Sequence, residues 1–386
     1  MTLLTRSVWI LSIVSFFADI ASEMLYPIVP IYLKEIGFSV LSIGFLEGIA
    51  EFVVGVSKGY FGKKSDDIGK RLPFVKMGYF LSAVSKSMMV LFSFPIWIFL
   101  SRSLDRLGKG IRTSARDALL SAETNKENKG RIFGFHRSWD TLGAVLGPLI
   151  ALLFLQFFPK DYRLLFLLAF IPGIIAVALI FLLKEKPLRQ TEQSKQGFFS
   201  YFGYWKIVSP EFKKLVIGLL IFSLANSSDV FLLLKTKQIT GSDTITIAVY
   251  ILYNLVYALS SYPIGILGDK IGIKKVYIAG LVAFLLVYLG FAFVTQTWVL
   301  FVLFGVYGLY AGATEGISKA WITNNATKEK TATAIGFYTS CQSFVALAAS
   351  SIAGILWSTF GNAYSFLFSV VLVMISIVFL IKQRIS

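Results

Sequence analysis

The sequence predicts an all-α integral membrane protein of twelve transmembrane helices in two pseudo-symmetric six-helix bundles, residues 1–184 and 214–386, joined by a linker at 185–213. Three observations predict it. With 56% hydrophobic residues, 36 Phe and 15% charged residues, the chain has too few polar side chains to cover a soluble surface. Apolar runs long enough to cross a bilayer, about 20 residues each, recur along the chain. The stretch Gly62-Lys-Lys-Ser-Asp66-Asp67-Ile-Gly69-Lys70-Arg71 returns 203 positions later as Gly265-Ile-Leu-Gly-Asp269-Lys270-Ile-Gly272-Ile-Lys274-Lys275, each copy wedged between such runs. A glycine-permitted turn with one acid and a basic cluster suits a short cytoplasmic connection between helices.

The expected spans are 8–32, 39–61, 74–94, 95–115, 131–158, 163–184, 214–234, 244–267, 274–295, 297–318, 331–358 and 362–382. The first starts where a signal peptide would, but Asp19 and Glu23 interrupt it and apolar sequence runs on to Leu33, so it is read as an uncleaved helix. The fourth carries Arg102, Asp105, Arg106 and Lys109, with Arg112 and Arg116 expected at or beyond its cytoplasmic end. Between the sixth and seventh lies the long polar segment, with Lys186, Arg189, Gln190, Gln193, Lys195, Gln196 and Lys206. Lys and Arg concentrate after span two, before span five, after span eight, in the linker, at Lys328 and Lys330, and in the carboxyl-terminal tail. By the positive-inside rule, those loops and both termini are cytoplasmic.

The same distribution bears on the formal charge of +16. Spread over short loops rather than gathered on one face or tail, it does not describe a nucleic-acid-binding surface. Cys341 is the single cysteine and lies in an apolar run, which leaves no disulfide framework and no cysteine-based metal site. Neither a GxxxxGK[ST] phosphate loop nor an HExxH helix is present, so an enzyme is not expected and no cofactor is implied. The expected partners are the lipid bilayer, protons and a small-molecule or ion substrate, with the chain a monomer.

The paired Gly-x-x-x-Asp-x-x-Gly-basic loops, at the second-to-third and eighth-to-ninth connections, resemble the signature loop of the major facilitator superfamily, and the resemblance covers the whole chain. It implies a secondary transporter working by alternating access. It also implies that Asp66, Lys70 and Arg71, and in the second half Asp269, Lys270 and Lys274, bridge helix ends and stabilise one of two states. Asp67 stands where the family usually carries a basic residue. In span five, Gly134, Gly143 and Gly147-Pro148 resemble the family's antiporter motif, associated with proton-exchanging exporters, with Ala151-Leu152 in place of its closing glycine pair. The plain physical reading is a helix of small residues at close-packing spacing with a proline bend. In span four, Arg102 resembles the family's fourth-helix arginine, linked to proton coupling, while Asp105 and Arg106 stand where Gln and Gly are usual.

Ionisable groups inside a membrane are costly and usually mark pathways. Asp19 and Glu23 share a face of span one, and Glu47 and Glu51 a face of span two. A carboxylate that accepts a proton when open outward and releases it to the cytoplasm is a minimal coupling device, while a static ion pair with Arg102 or Arg106 is the alternative. His136 and Asp140 share a face of span five, and Glu315 and Lys319 are spaced as a structural pair. In the second half, polar faces occur at Asn226 and Asp229, at Tyr250, Asn254 and Tyr257, and at Tyr338 and Gln342. These line the expected cavity or pack as aromatics.

The segments FADIASEMLYPIVPIYL, DRLGKGIRTSARDAL and GFHRSWDTLGAVLGP also resemble a narrower branch of uncharacterised archaeal and bacterial transporters, more distantly like nickel exporters. A multi-pass protein of a prokaryotic plasma (inner) membrane is expected. The leading function is a proton-coupled exporter, or antiporter, of a small solute. The alternative is a divalent metal exporter or a uniporter of the same fold, with Asp19, Glu23, His136 and Asp140 as possible ligands.

Overall fold

A computed structural model describes residues 4–26, 28–37, 40–92, 94–185 and 197–383, without the side chains of residues 30, 31, 34, 35, 40–51, 95 and 243. Glu47, Glu51 and the linker residues 186–196 therefore lie outside the described part. Among the described residues the chain is helical, with no strand. In order come α1 (Arg6–Glu23), α2 (Ile28–Glu35), α3 (Val40–Ile68), α4 (Leu72–Leu91), α5 (Pro95–Ala122), α6 (Lys129–Phe157) and α7 (Tyr162–Ile180). A 3-10 turn at Ser200–Gly203 and the single-turn α8 (Tyr204–Ile207) follow. Then come α9 (Pro210–Ala225), α10 (Val230–Thr240), α11 (Asp243–Ile271), α12 (Ile273–Phe293), α13 (Thr297–Asn324), α14 (Thr331–Phe360) and α15 (Asn362–Lys382).

Helix starts are set by local chemistry. Thr5, Asp161, Ser209 and Ser242 each accept a first-turn amide with a side-chain oxygen, at α1, α7, α9 and α11. The glycine three residues after the acid in each repeated loop, Gly69 and Gly272, has φ of 72° and 102°, a conformation closed to most side chains, which is why the spacing recurs.

Among the described residues eight helices are long and apolar enough to cross a membrane, the first of them α6. The charge in α5 explains why it falls outside that set, since seven ionisable residues lie between Arg102 and Asp117. That helix also runs further than expected, to Ala122. Arg112 and Arg116, expected at or past its end, are inside it and 2% and 6% exposed.

The expected first and seventh spans are each interrupted. The first breaks between Glu23 and Ile28, just ahead of a proline in the sequence, and the seventh between Ala225 and Val230, at Asn226-Ser-Ser-Asp229. Proline withholds a ladder donor, and Asn, Ser and Asp offer the backbone competing side-chain partners.

The contacts group the chain into two units. One comprises residues 1–123, 139–204 and 327–340, the other 124–138, 205–326 and 341–386. In the first, α5 packs against α3 and α4, and α7 against α1 and α4. In the second, α13 packs against α11 and α12, and α15 against α9 and α12.

Small residues let α6 sit close to its neighbours. A Cβ on Gly143 would meet the Phe16 carbonyl oxygen at 2.4 Å, and one on Gly147 the Met24 nitrogen at 2.7 Å, both in the first unit. In the second, a Cβ on Gly134 would meet the Ser261 carbonyl oxygen at 2.4 Å. Pro148 lies inside the same helix. The three glycines singled out from the sequence are thus contact points with α1 and α11.

Tyr201, on the 3-10 turn, is fully buried in the first unit. Its hydroxyl lies 2.8 Å from Ser340 Oγ, and its ring fills the space that a side chain at Gly59 would need.

Candidate functional site

The repeated loops are built from their acids outward. Asp66 is 2% exposed, next to Gly62, where a Cβ would lie 2.5 Å from the Ala332 carbonyl oxygen. Its Oδ2 accepts from the Thr333 amide at 2.7 Å and the Thr333 hydroxyl at 2.9 Å. Its Oδ1 accepts from Arg71 Nη2 at 2.9 Å and Nε at 3.1 Å. Arg71, also 2% exposed, donates further to the carbonyls of Ala118 and Lys328. One guanidinium therefore ties the end of α3 to α5 and to the approach of α14, and the carboxylate caps the first turn of α14, where the helix dipole favours an anion. In this loop beyond the second span, burial pushes the Asp66 carboxyl up to about 6, against the pull of Arg71 and the Thr333 hydrogen bonds.

The second loop repeats the acid's role. Asp269 accepts from the amides of Gly130 at 2.7 Å and Arg131 at 2.8 Å, a two-pronged cap on the opening of α6. Gly265 beside it meets Gly130 so closely that a Cβ would lie 2.3 Å from the Gly130 carbonyl oxygen. The basic residues differ. Lys274, at the position of Arg71, donates to the carbonyls of Ile381 and Gln383 at the end of α15. Lys70 and Lys270 are exposed. Asp67 pairs with Lys63 at 2.6 Å.

Beyond the Asp66–Arg71 pair, two further groups of buried charges occur among the described residues of the first unit. Lys86 Nζ is 3.0 Å from Asp105 Oδ1, and both Ser82 and Lys86 donate to that carboxylate. Arg102 lines a small cavity with this pair and Ser22, Ser85 and Ser101, while Arg106 is 7% exposed. Deeper along α5, Arg116 contacts Asp117 at 2.9 Å and Asp140 at 3.7 Å. Ser15 completes this group, donating to Asp140 at 2.6 Å and accepting from Arg116 at 2.8 Å. Arg112 lies 4.3 Å from the centre of the Tyr79 ring. Asp19 is half-buried, and the charges acting on it are Asp140, Lys109, Glu23 and Arg112. Lys109 and Arg112 are the cations among those charges.

Removing one partner of a buried ion pair leaves the other uncompensated, at a cost of about 3–5 kcal/mol, whereas replacing both can be neutral. Lys86→Met should therefore lower the unfolding midpoint strongly, and Lys86→Met with Asp105→Leu should recover most of the loss, read by thermal unfolding in detergent.

In the second unit, Asn226 ends α9 and Asp229 precedes α10, with Tyr307 donating to Asp229 at 2.6 Å. Asn254 donates to the Tyr250 carbonyl on α11. Arg137 bonds Tyr257 through Nε and reaches Glu315, the acid expected to pair with Lys319, at 3.4 Å. His136 is 3% exposed and Tyr338, in the first unit, is buried; Gln342 is half-buried. Among the described residues no three His, Cys, Asp or Glu side chains converge. Asp19, Glu23 and Asp140 belong to the first unit and His136 to the second, and Asp140 is held by Ser15 and Arg116.

Lys86 and Asp117 were not singled out by sequence reasoning, and Arg116 was expected only at or beyond the end of its span. The available signal for Lys86 was a charge inside an apolar run; for Arg116 and Asp117 only burial reveals the role.

An all-helical chain with a duplicated acid-on-helix-start loop and charges buried between apolar helices is a polytopic membrane transporter in its architecture. The family profile of the Major Facilitator Superfamily matches residues 11–251 and, in a second match, 215–385. The chain is 35% identical to an uncharacterised MFS-type transporter of Methanocaldococcus jannaschii, over 97% of this chain and 94% of that one. It is 29% identical to the multi-drug resistance efflux pump PmrA of Streptococcus pneumoniae, over 36% of this chain and 35% of that one. The crystal structure of the human organic anion transporter MFSD10 superposes with a TM-score of 0.81 at 15% identity, covering 97% of this chain and 99% of that one. The chain belongs to the Major Facilitator Superfamily.

Proposed function

We propose that the chain is a secondary active transporter working by alternating access, a proton-coupled exporter of a small solute. In this reading twelve spanning helices form two six-helix bundles, residues 1–184 and 214–386, with a cytoplasmic linker at 185–213 and both termini cytoplasmic in a prokaryotic plasma membrane. The observation that carries it is the pair of acid caps. Asp66, in the first half of the sequence, holds the opening of α14, and Asp269, in the second half, holds the opening of α6. A grip made of a few hydrogen bonds to a helix start can release without unfolding either helix, which is what a two-state device requires. Export is supported by the pneumococcal relative, whose name describes an efflux pump. Proton coupling is supported by acids placed inside spans, Asp19 and Glu23 first among them.

The test begins with a thermal-shift panel of small solutes on purified protein, since a ligand of the native state raises the midpoint. A hit is then added outside proteoliposomes holding a pH-sensitive dye. Substrate entering by antiport expels protons, so the lumen should become alkaline. Acidification would indicate symport and an unchanged lumen a uniporter, and either would replace the antiport reading.

A further inference from the structure

The break in the seventh span collects oxygen acceptors. After Ala225 the amides of Ser227 and Ser228 would, in a continuing helix, bond the carbonyls of Ser223 and Leu224. They turn instead to the Ala225 carbonyl at 3.2 Å and to Ser350 Oγ at 3.1 Å. The two carbonyls thus lose their ladder donors, at the carboxyl end of α9, where the helix dipole is negative. Asn226 Oδ1 is buried there with no hydrogen-bond partner. Asp229 closes the interval, half-buried, with the Tyr307 hydroxyl from α13 on its Oδ1. The charge that acts on Asp229 is Glu315, a second acid.

We propose that this interval is a binding site for a monovalent alkali cation of the sodium class, held by the carbonyls of Ser223 and Leu224, Asn226 Oδ1 and the Asp229 carboxylate. One carboxylate among neutral oxygens supplies a single negative charge, which suits a monovalent ion, and the all-oxygen set with no imidazole or thiolate suits a hard one. A partnerless buried amide oxygen is costly, and a cation satisfies it. The unwound segment lies inside a 31-residue span, and irregular backbone at such depth is tolerated where its polar groups find partners.

The first span shows that a break alone does not make such a site. The 203-residue offset that relates Asp66 to Asp269 carries Met24 and Leu25 onto Ser227 and Ser228, and Tyr26 onto Asp229. Met24 and Leu25 are buried and apolar, and the Ser22 carbonyl takes the amides of both Leu25 and Tyr26. The acceptor set belongs to the second break.

Ion binding at this site rests on the transporter reading only for its use as a coupling ion. The experiment measures the unfolding midpoint of the purified full-length protein in sodium, lithium or choline chloride at equal ionic strength. Sodium or lithium should raise the midpoint above choline by a few degrees, on the order expected for a ligand well above its dissociation constant. Asn226→Ala and Asp229→Asn should each abolish the difference. Should Asp229→Asn fail to fold, Asn226→Ala and Tyr307→Phe carry the comparison. Equal midpoints of the wild-type protein in all three salts, or a sodium shift that survives every folded variant, would overturn the site. A missing sodium shift alongside intact substrate-driven pH change removes the site and leaves the transporter; a sodium shift without transport does the reverse.

Discussion

Arg71→Gln should free the start of α14 at pH 7.5 and let it be recaptured at pH 5.5. In the wild-type protein Asp66 keeps a carboxyl pushed up to about 6, above its ordinary 3.8, so the held form binds a proton more tightly than the released one. The sign follows directly: as pH falls from 7 through 6 toward 4, proton uptake favours the held form, and as pH rises through 6 that contribution is lost. Arg71 is the cation that makes the ionised form tolerable, and its loss leaves a buried carboxylate without its guanidinium. The variant should therefore be released where Asp66 is ionised and held where it is protonated. Ala334, fully buried one residue beyond Thr333, reports on this. With Cys341→Ala as background, an Ala334→Cys thiol should react with maleimide about 100-fold faster in Arg71→Gln than in the parent at pH 7.5, the population change for about 3 kcal/mol. At pH 5.5, with rates normalised to an exposed reference thiol, the gap should shrink. Equal labelling at pH 7.5 would show that Arg71 does not sustain the grip.

Asp19→Asn should abolish substrate-driven proton flux and uphill transport while leaving counterflow exchange measurable, because exchange needs no net proton movement. Asp19 is placed for such a role by the elements around it. It sits on α1 where Gly143 permits α6 to approach, and a Cβ on that glycine would meet the Asp19 Cβ at 3.2 Å. Two acids and two cations act on it: Asp140 and Glu23, Lys109 and Arg112. Asp140 is already engaged by Ser15 and Arg116; Glu23 shares α1 with Asp19, whereas Lys109 and Arg112 belong to α5 and Asp140 to α6, so a shift of α1 along either helix changes the balance of charge. Glu23→Gln is the companion variant. Proteoliposomes with a pH dye inside supply the measurement. If Asp19→Asn, Glu23→Gln and the double variant all pump at wild-type stoichiometry, neither acid carries the proton, and Asp140 becomes the next residue to neutralise.

Helical character and the two loops were legible in the sequence because each rests on local chemistry. Hydropathy runs mark helices, and the turn at Gly69 and Gly272 needs a positive φ that few other residues supply. The close approaches of Gly134, Gly143 and Gly147 were legible as spacing, but which helix each glycine admits was not, since Phe16 and Ser261 come from opposite halves of the sequence. Charge partners were the least legible. Arg116 meets Ser15 across 101 positions of sequence, and Arg137 meets Glu315 across 178, distances that no periodicity encodes. The two helix breaks left a visible mark, a proline near one and Asn-Ser-Ser-Asp at the other, but both lie inside apolar runs whose hydropathy alone describes an unbroken span.

Tyr201 gives the protein a natural place to be divided. Residues 197–204 lie within the linker expected at 185–213, yet they group with the first unit, pinned by the Tyr201 ring against Gly59 and by its hydroxyl against Ser340. An engineer who wishes to express the two halves as separate chains, or to insert a reporter domain between them, gains by cutting after this anchor. A junction between Ile207 and Ser209 leaves the anchor with the α1–α7 chain and starts the other chain at the Ser209 cap of α9. A junction within 186–196 would strand a buried tyrosine on the wrong polypeptide, where it must find its seat as a free end.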